Sequence, residues 1–403
     1  MRKLGVAVVG CGNIASFYLS TRRRHPVLDV IGVMDRNEQR AALYAEYFSL
    51  HKYPSLEAVL DDPRVELVVN LTNPRSHYDV SRKVLEAGRH VYSEKPLAMK
   101  FEEAQELVRL AEEKGLVVAS APSRILGETG QTMWAALRAG VIGKVHAAYA
   151  EMDGGLIYRA NYKEWKNELG IPWSYLDELE TGCTIEHAGY SVSWLSAFFG
   201  PVDTVSAYAT CQIPDLGTDT PITAPPPDLT VACLKFKSGV VARLTTSWIA
   251  PHDHSIRIFG DTGVLSTSDI WKPRSPVRVT RNRTIRIGPK AISLPRSETY
   301  PMVVPPGGAR MRRMYESFAR HPRELVRAAR ARLRHLRGRV DFCLGPVEVA
   351  QSIIEDRPCR LSADYCLHNT EVVLAIHESA HRPSTYEMKT TFEPMHPMPW
   401  ALP

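Results

Sequence analysis

The sequence predicts an α/β chain with a doubly wound parallel sheet first and a large open, mainly antiparallel sheet after it. Three observations carry that reading. Residues 1–120 alternate short apolar runs with helical patterns, the rhythm of parallel strands joined by crossover helices. Near residue 125 the rhythm changes to alternating apolar and polar residues between turn signals, as in a sheet with one wet face. The first apolar run, residues 4–9, ends in Gly10-Cys11-Gly12-Asn13-Ile14-Ala15, a tight glycine turn that opens a helix.

In the first region strands are expected at 4–9, 27–34, 67–71, 90–92 and 117–120. Helices are expected at 14–24, 38–48, 56–60, 78–87 and 101–114, with Gly88 and Gly115 at stop positions. A helix at 133–139 ends at Gly140. Strands then follow at 144–152, 202–211, 229–236, 240–247, 255–259 and 264–267, separated by turns such as Lys237-Ser238-Gly239 and Asp261-Thr262-Gly263. The proline-rich stretches 221–227 and 301–308 read as loops. The tail from Thr390 is too rich in proline for helix, and Trp400 can pin it to the body or to a neighbouring subunit. Two domains are expected, residues 1–124 and 125–403.

At 403 residues, 44% hydrophobic and 23% charged, the chain can build two cores and is not a disordered sequence. Its net charge of +6 is concentrated in 309–340, an Arg-rich stretch whose only acidic residues are Glu316 and Glu324. No aromatic interleaving accompanies it, so a solvated helix pair or an anion-attracting loop is favoured over nucleic acid. Seven cysteines without C-x-x-C spacing argue against a disulfide scaffold and a zinc site. No run approaches the ~20 apolar residues of a membrane span. Met1-Arg2-Lys3 mimics a signal peptide, but the apolar run behind it is shorter than the ~7–15 residues such a peptide needs. A cytoplasmic location is expected.

The glycine turn has a chemical use. Gly10 permits the turn, Gly12 lets the backbone approach a pyrophosphate, and Ala15 stands where helix and strand pack closely. Asn13 and Ile14 open the helix, whose free N–H groups face phosphates. Asp35, at the end of the second strand, suits the ribose hydroxyls of NAD and repels a 2′-phosphate. Arg36 beside it can pair with such a phosphate or stack on adenine, so NAD is expected and NADP is not excluded. Two more clusters fall at strand carboxyl ends. In Thr72-Asn73-Pro74-Arg75-Ser76-His77, Thr72 and Asn73 can bond ribose or carboxamide, and His77 either touches the cofactor or caps the next helix. In Ser93-Glu94-Lys95-Pro96, Lys95 can stabilise an alkoxide or carbonyl oxygen during hydride transfer.

Together, Gly10–Ala15, the turn from Thr72 to His77 and Glu94-Lys95-Pro96 resemble the nucleotide domain of the glucose–fructose oxidoreductase/inositol dehydrogenase (Gfo/Idh/MocA) family. Arg124 and the helix end at 139–144 resemble its crossover into a second domain. The likeness runs from residue 2 to about 270 and resumes over 340–378. The resemblance implies NAD(P)-dependent oxidation or reduction of sugars, polyols and related compounds. It implies a catalytic Lys95, with Glu94 beside the cofactor and Arg124 at the substrate. It also implies an open sheet used for homo-oligomerisation, as a dimer or tetramer.

The second catalytic motif departs from the family's commonest pattern, an Asp and a His four residues apart after a glycine-rich turn. In Gly182-Cys183-Thr184-Ile185-Glu186-His187-Ala188-Gly189-Tyr190, Glu186 takes the Asp position and Tyr190 the His position. A spacing of four puts both on one helical face. Tyr190 as acid/base needs its pKa lowered from about 10, which a nearby Lys95 ammonium would do. His187 is the alternative base, and a plain buried aromatic is the alternative for Tyr190. Tyr158 and Trp173, with Tyr162, Trp165 and Tyr175, suit stacking on a sugar face or plain loop packing. Arg159 and Lys163 could meet an anionic group. His252 and His254 lack a third ligand in sequence and read as a sheet-edge feature, so no metal is expected. Two rival functions are a redox glycosidase, which oxidises a sugar transiently, and a non-enzymatic nucleotide sensor, against which Lys95 and Tyr190 argue.

Overall fold

The computed structural model describes residues 2–287, 290–305, 340–381 and 384–402, with only the backbone at 282–287 and 290–294. The Arg-rich stretch at 309–339 lies outside the described residues. Six strands form the first sheet: β1 (Leu4–Val9), β2 (Leu28–Met34), β3 (His51–Lys52), β4 (Leu67–Asn70), β5 (His90–Ser93) and β6 (Val118–Ser120). All are parallel, in the order β3-β2-β1-β4-β5-β6. Every residue of β1 and β4 is buried, as strands covered by helices on both faces must be.

The connecting helices are α1 (Ala15–Thr21), α2 (Glu38–Phe48), α3 (Leu56–Asp61), α4 (His77–Glu86), α5 (Phe101–Glu113) and α6 (Glu128–Arg138). Asn37 and Ser55 cap α2 and α3, accepting from the Arg40 and Ala58 amides at 3.1 and 3.2 Å. Helix α6 starts earlier than the sequence suggests. Gly130 in its first turn allows the backbone to press on Ile125, where a Cβ would lie 2.7 Å from the Ile125 carbonyl.

The second sheet has nine strands: β7 (Val145–Asp153), β8 (Val202–Thr210), β9 (Leu229–Phe236), β10 (Val241–Ser247), β11 (Ile256–Gly260), β12 (Gly263–Thr267), β13 (Val277–Ile287), β14 (Lys290–Thr299) and β15 (Tyr386–Glu387). Its order is β14-β13-β12-β11-β7-β10-β9-β8-β15, antiparallel except for β7 beside β10. In β9 Thr230, Ala232, Leu234 and Phe236 are buried and alternate with exposed residues, so one face meets water. Helices α7 (Tyr175–Cys183), α8 (Gly189–Phe199), α9 (Leu344–Ile354) and α10 (Ala363–Glu378) cover the other face and bridge the sheets. The long hairpin β13–β14, β3, β15, α7, α9 and α10 were not among the expected elements.

Helix α10 is buried on nearly every side and packs on α5, α8, β6 and β8. Gly345 brings α9 against Tyr92 of β5, where any Cβ would lie 2.3 Å from the ring. One continuous apolar core therefore spans both sheets. The tail folds back on its own chain: the Met398 amide donates to Gln131 (2.8 Å), and Arg360 donates to the Pro397 carbonyl (3.2 Å). All seven cysteines are free. No helix among the described residues is long and apolar enough to cross a membrane.

Two histidines brace this packing as neutral acceptors. His368 on α10 accepts from the Val202 amide at 2.9 Å, and His90 accepts from the Val117 amide at 2.9 Å. Burial holds both below the ordinary imidazole range, His368 at about 4. The unfolded chain then binds the extra protons, so stability falls as pH drops from about 6.5 towards 4 and is unaffected by these groups above that window. Thermal unfolding across this range is expected to show a falling Tm. His368→Gln, which keeps an acceptor, should flatten the slope by up to ~1.4 kcal/mol per pH unit; an unchanged slope refutes the assignment.

Candidate active site

At the point where the strand order of the first sheet reverses, between β1 and β4, lies a cleft of about 430 Å³. Open α/β sheets bind ligands at such a switch point. Gly10, Gly12, Asp35, Arg36, Thr72 and Asn73 line it, as the sequence anticipates. Gly10 has φ +102°, and a Cβ there would sit 2.5 Å from the Leu71 carbonyl. Gly12 differs: a Cβ would meet nothing within 4 Å. Protein packing does not demand that glycine, whereas a close-lying pyrophosphate would. Asp35 accepts from the Cys11 and Asn37 amides, both at 2.7 Å, which locks turn and carboxylate together. Thr72 is fixed by its own amide and hydroxyl bonding Asn70 Oδ1 at 3.2 and 2.7 Å. Arg40 also faces the cleft. Sequence reasoning missed it, although it stands four residues after Arg36.

Other expected cofactor residues are engaged elsewhere. Asn13 donates to the Ile171 carbonyl (3.1 Å), and Asn167 donates to the Asn13 carbonyl (3.1 Å) and to the Tyr44 hydroxyl (2.8 Å). A loop from the second region thus covers the glycine turn. Ile14 precedes α1 without a side-chain cap, which leaves first-turn amides for a phosphate. Asn73 donates to Asp177 on α7 at 2.7 Å, and Arg75 pairs with Glu180 at 2.9 Å.

Two expectations are corrected. His77 does not line the cleft: its buried ring lies 2.8 Å from the Pro96 carbonyl and 2.9 Å from that of Thr72, joining two turns. Glu94 turns inward, where its carboxylate accepts from the Tyr18 hydroxyl (2.6 Å) and the Lys95 amide (3.1 Å). Both bond within the turns that carry Lys95, and neither lines the cleft.

The candidate catalytic groups meet where β5 ends and the helical layer of the second region begins. Gly182 breaks α7 with φ +86° and ψ 161°; a Cβ there would lie 2.8 Å from Pro226. Thr184–Ala188 then form a wide π turn before α8. The expected regular helix through Glu186 and Tyr190 is therefore replaced by a looser coil, a feature frequent at functional sites. Glu186 on this turn forms an ion pair with Lys95 Nζ, with side chains only 16% and 11% exposed. Burial pulls the Lys95 pKa down, but the Glu186 carboxylate beside it outweighs that effect and keeps the ammonium charged. Burial pushes Glu186 up, and Lys95 overrides it, holding the carboxylate at about 2.

Glu178 on α7 joins this pair and escaped the sequence reading. Burial and the adjacent Glu186 carboxylate push its pKa well up, so it carries a proton. Its Oε2 is buried without a partner among the described residues. It lies eight residues before Glu186, across the Gly182 break, and no helical periodicity links the two.

The base candidates separate. Burial raises the Tyr190 hydroxyl well above 10 despite Lys95 and Arg124, which corrects the expectation that Lys95 would lower it. Burial lowers His187 to about 4, so it is a neutral imidazole at neutral pH. Its Nδ1 is buried and unpartnered among the described residues. Lys95 Nζ lies 5.9 Å from the centre of the Tyr190 ring.

Arg124 is buried and donates to the Trp271 carbonyl, with the Asp341 carbonyl at 3.5 Å and the Phe342 ring at 5.8 Å. Its guanidinium is thus tied to backbone, which gives it a scaffolding part beside Tyr190. Tyr158 and Trp173 are half-buried against a small core of Ile157, Tyr162, Leu179, Cys183, Leu216 and Trp248, as loop packing would have them. His252 and His254 are not at a sheet edge. They sit between β10 and β11, and Asp269 supplies the third neighbour absent from the local sequence.

Residues 4–121 match the oxidoreductase family with an NAD-binding Rossmann fold, and residues 131–266 match the GFO/IDH/MocA C-terminal domain. The chain belongs to the Gfo/Idh/MocA family. It is an NAD(P)-binding oxidoreductase. Human biliverdin reductase A is 31% identical over 211 residues, 51% of this chain and 62% of that protein, so less than two thirds of its length is matched. Mouse trans-1,2-dihydrobenzene-1,2-diol dehydrogenase is 25% identical over 269 residues, 66% of this chain and 75% of that protein. The crystal structure of the WlbA dehydrogenase from Bordetella pertussis, in complex with NADH and UDP-GlcNAcA, superposes with a TM-score of 0.66 at 19% identity, covering 96% of this chain and 98% of that one; this likeness concerns the fold.

The two glycines of the turn should fail differently. Gly10→Ala is expected to destabilise the fold by about 1–3 kcal/mol, because a positive φ and a backbone clash combine. Gly12→Ala should keep the wild-type Tm and lose at least ~10-fold in NAD(P) affinity by fluorescence titration. Equal Tm losses in both variants would contradict this division.

Proposed function

We propose that this oxidoreductase moves hydride between a nicotinamide cofactor and a hydroxyl or keto carbon of a sugar, sugar derivative or cyclic polyol, with NAD preferred. The observation that carries the reading is the Lys95–Glu186 pair at the end of β5, with neutral His187 beside it. Residues 1–124 are assigned to the cofactor and 125–403 to the substrate. The named activities of relatives support the substrate class: a dihydrodiol for the mouse enzyme, UDP-N-acetylglucosamine for a relative from Acidithiobacillus ferrooxidans, and scyllo-inositol for one from Bacillus subtilis.

Gly10, Gly12, Asp35, Arg36 and Thr72 would hold the cofactor, whose nicotinamide supplies the hydride acceptor or donor when bound. In the oxidative direction His187 takes the substrate hydroxyl proton and becomes imidazolium. The Lys95 ammonium stabilises the negative charge that grows on that oxygen. Glu186 keeps Lys95 charged and aimed. Glu178, holding its proton, limits the carboxyl pair to one negative charge, which Lys95 balances. Tyr190 stays protonated and donates a hydrogen bond to the substrate. In reduction His187 returns the proton.

Asp35 disfavours a 2′-phosphate, while Arg36 and Arg40 in the same cleft leave NADP as a weaker alternative. Tyr149, Tyr208, Val231 and Val241 are exposed on the second sheet and support assembly into a homo-oligomer through that face.

The deciding assay incubates the protein with NAD and, separately, NADP, against a panel of sugars, polyols and chromogenic glycosides. Build-up of reduced cofactor with a free sugar or polyol is expected; aglycone release without it would replace this reading with a redox glycosidase. Lys95→Met should abolish turnover and keep cofactor binding. His187→Ala is expected to lower kcat ~10²–10⁴-fold, more than Tyr190→Phe. With His187 as base, the oxidative kcat/KM rises through about pH 4 and then levels. A tyrosine base would instead give a limb in the alkaline range and reverse the order of the two variants.

A further inference from the structure

Beside His187 lies a group of side chains that the proposed reaction leaves unused. His252 and His254 come from the segment between β10 and β11, and Asp269 from just beyond β12. One ligand atom from each lies within 4.8 Å of the other two. The two imidazoles are 4.0 Å apart between ring centres, and His254 Nδ1 is 3.9 Å from Asp269 Oδ1. His252 is exposed, whereas His254 and Asp269 are buried.

The second observation concerns His254, which is only 2% exposed. Both of its ring nitrogens are buried and have no hydrogen-bond partner among the described residues. A buried donor or acceptor left unpaired is costly, so a ring unpaired at both ends needs an explanation.

We propose that His252, His254 and Asp269 bind a divalent first-row metal ion of the zinc type. Two imidazoles and one carboxylate suit such ions, and three protein ligands leave a position for water or a substrate oxygen. Ligand bonds of ~2.0–2.2 Å require donors somewhat closer than they stand, so binding draws the three side chains together. Asp269 is already oriented by its own backbone contacts, since its Oδ1 accepts from the Trp271 and Lys272 amides at 2.8 and 3.3 Å. Such outer contacts aim a metal-binding carboxylate. The Lys272 ammonium, 3.2 Å from Asp269 Oδ2, competes for it, but that side chain is 71% exposed and free to swing into water.

The site adjoins the reaction centre. The Trp271 ring packs on His254 and on Tyr190 at 4.9 Å each, and His187 stands 6.4 Å from His254 between ring centres. Metal binding is nevertheless read out independently of the reaction assigned above.

The test strips the full-length protein with EDTA and titrates it with Zn²⁺ and Co²⁺, following bound metal by equilibrium dialysis and elemental analysis and the Co²⁺ site by its visible bands. One equivalent per chain is expected, with cobalt bands of low-symmetry coordination. His252→Ala, at an exposed position that the fold does not need, should weaken binding at least ~10-fold; His254→Ala and Asp269→Asn should abolish the bands. His146→Ala, at an exposed histidine paired with Asp261, serves as control and should bind as wild type. Wild-type binding no tighter than that of His252→Ala overturns the proposal, whatever the activity assays give.

Discussion

The ion pair between Lys95 and Glu186 is the constraint on which the site depends. It crosses from the end of β5 to the π turn and removes two charges largely from water. Such a pair gains little net stability, because desolvation offsets most of the attraction. Its effect is on geometry and charge state. Removing either partner strands the other in a low-dielectric setting, at a typical cost of ~3–5 kcal/mol. The lysine therefore stays protonated and the glutamate ionised, and both stay where the two regions meet. Glu178 completes the balance by remaining protonated, since two carboxylates beside one ammonium would leave a buried negative charge uncompensated.

The rest of the interface holds that pair in register. The turn after β4 docks on α7 through Asn73–Asp177 and Arg75–Glu180. The loop carrying Asn167 and Ile171 closes over the glycine turn. His77 and Glu94 sit behind Lys95, one bonding the turn that contains Pro96 and the other the Lys95 amide. These residue types had suggested ligand contacts. Their geometry makes them the scaffold that fixes Lys95 at the end of β5. Beneath them α10 fills the space between the sheets, so one apolar core is shared by the two halves of the site.

What the sequence made legible was local. The apolar run 4–9, the glycine turn, Asp35 at a strand end and Lys95 before Pro96 are readable because each needs only its neighbours and a known strand direction. The helix ends at Asn37 and Ser55 are legible for the same reason. The π turn was hidden, because the chain beside it is held by distant residues: Gly182 packs on Pro226, and the Cys183 amide donates to the Pro227 carbonyl at 3.1 Å. The hairpin β13–β14 was hidden by its many charged and hydroxyl side chains, which obscure the buried Val277 and Val279. Glu178 and Asp269 were hidden because they reach their partners through space, across a helix break and between strands.

The base assignment shows why burial had to be known before the chemistry could be read. From sequence, the ammonium of Lys95 looked like the dominant influence on Tyr190, and it would have made the phenol a base. Inside the fold, desolvation is larger than that attraction. It disfavours the charged form of Tyr190 and of His187 alike. For a tyrosine the neutral form is a hydrogen-bond donor, and for a histidine it is a proton acceptor. One physical effect thus leaves two residues three positions apart in opposite states: His187 is a neutral imidazole able to accept a proton, and Tyr190 keeps its own. Lys95 and Glu186 escape the rule only because each is the other's counter-ion.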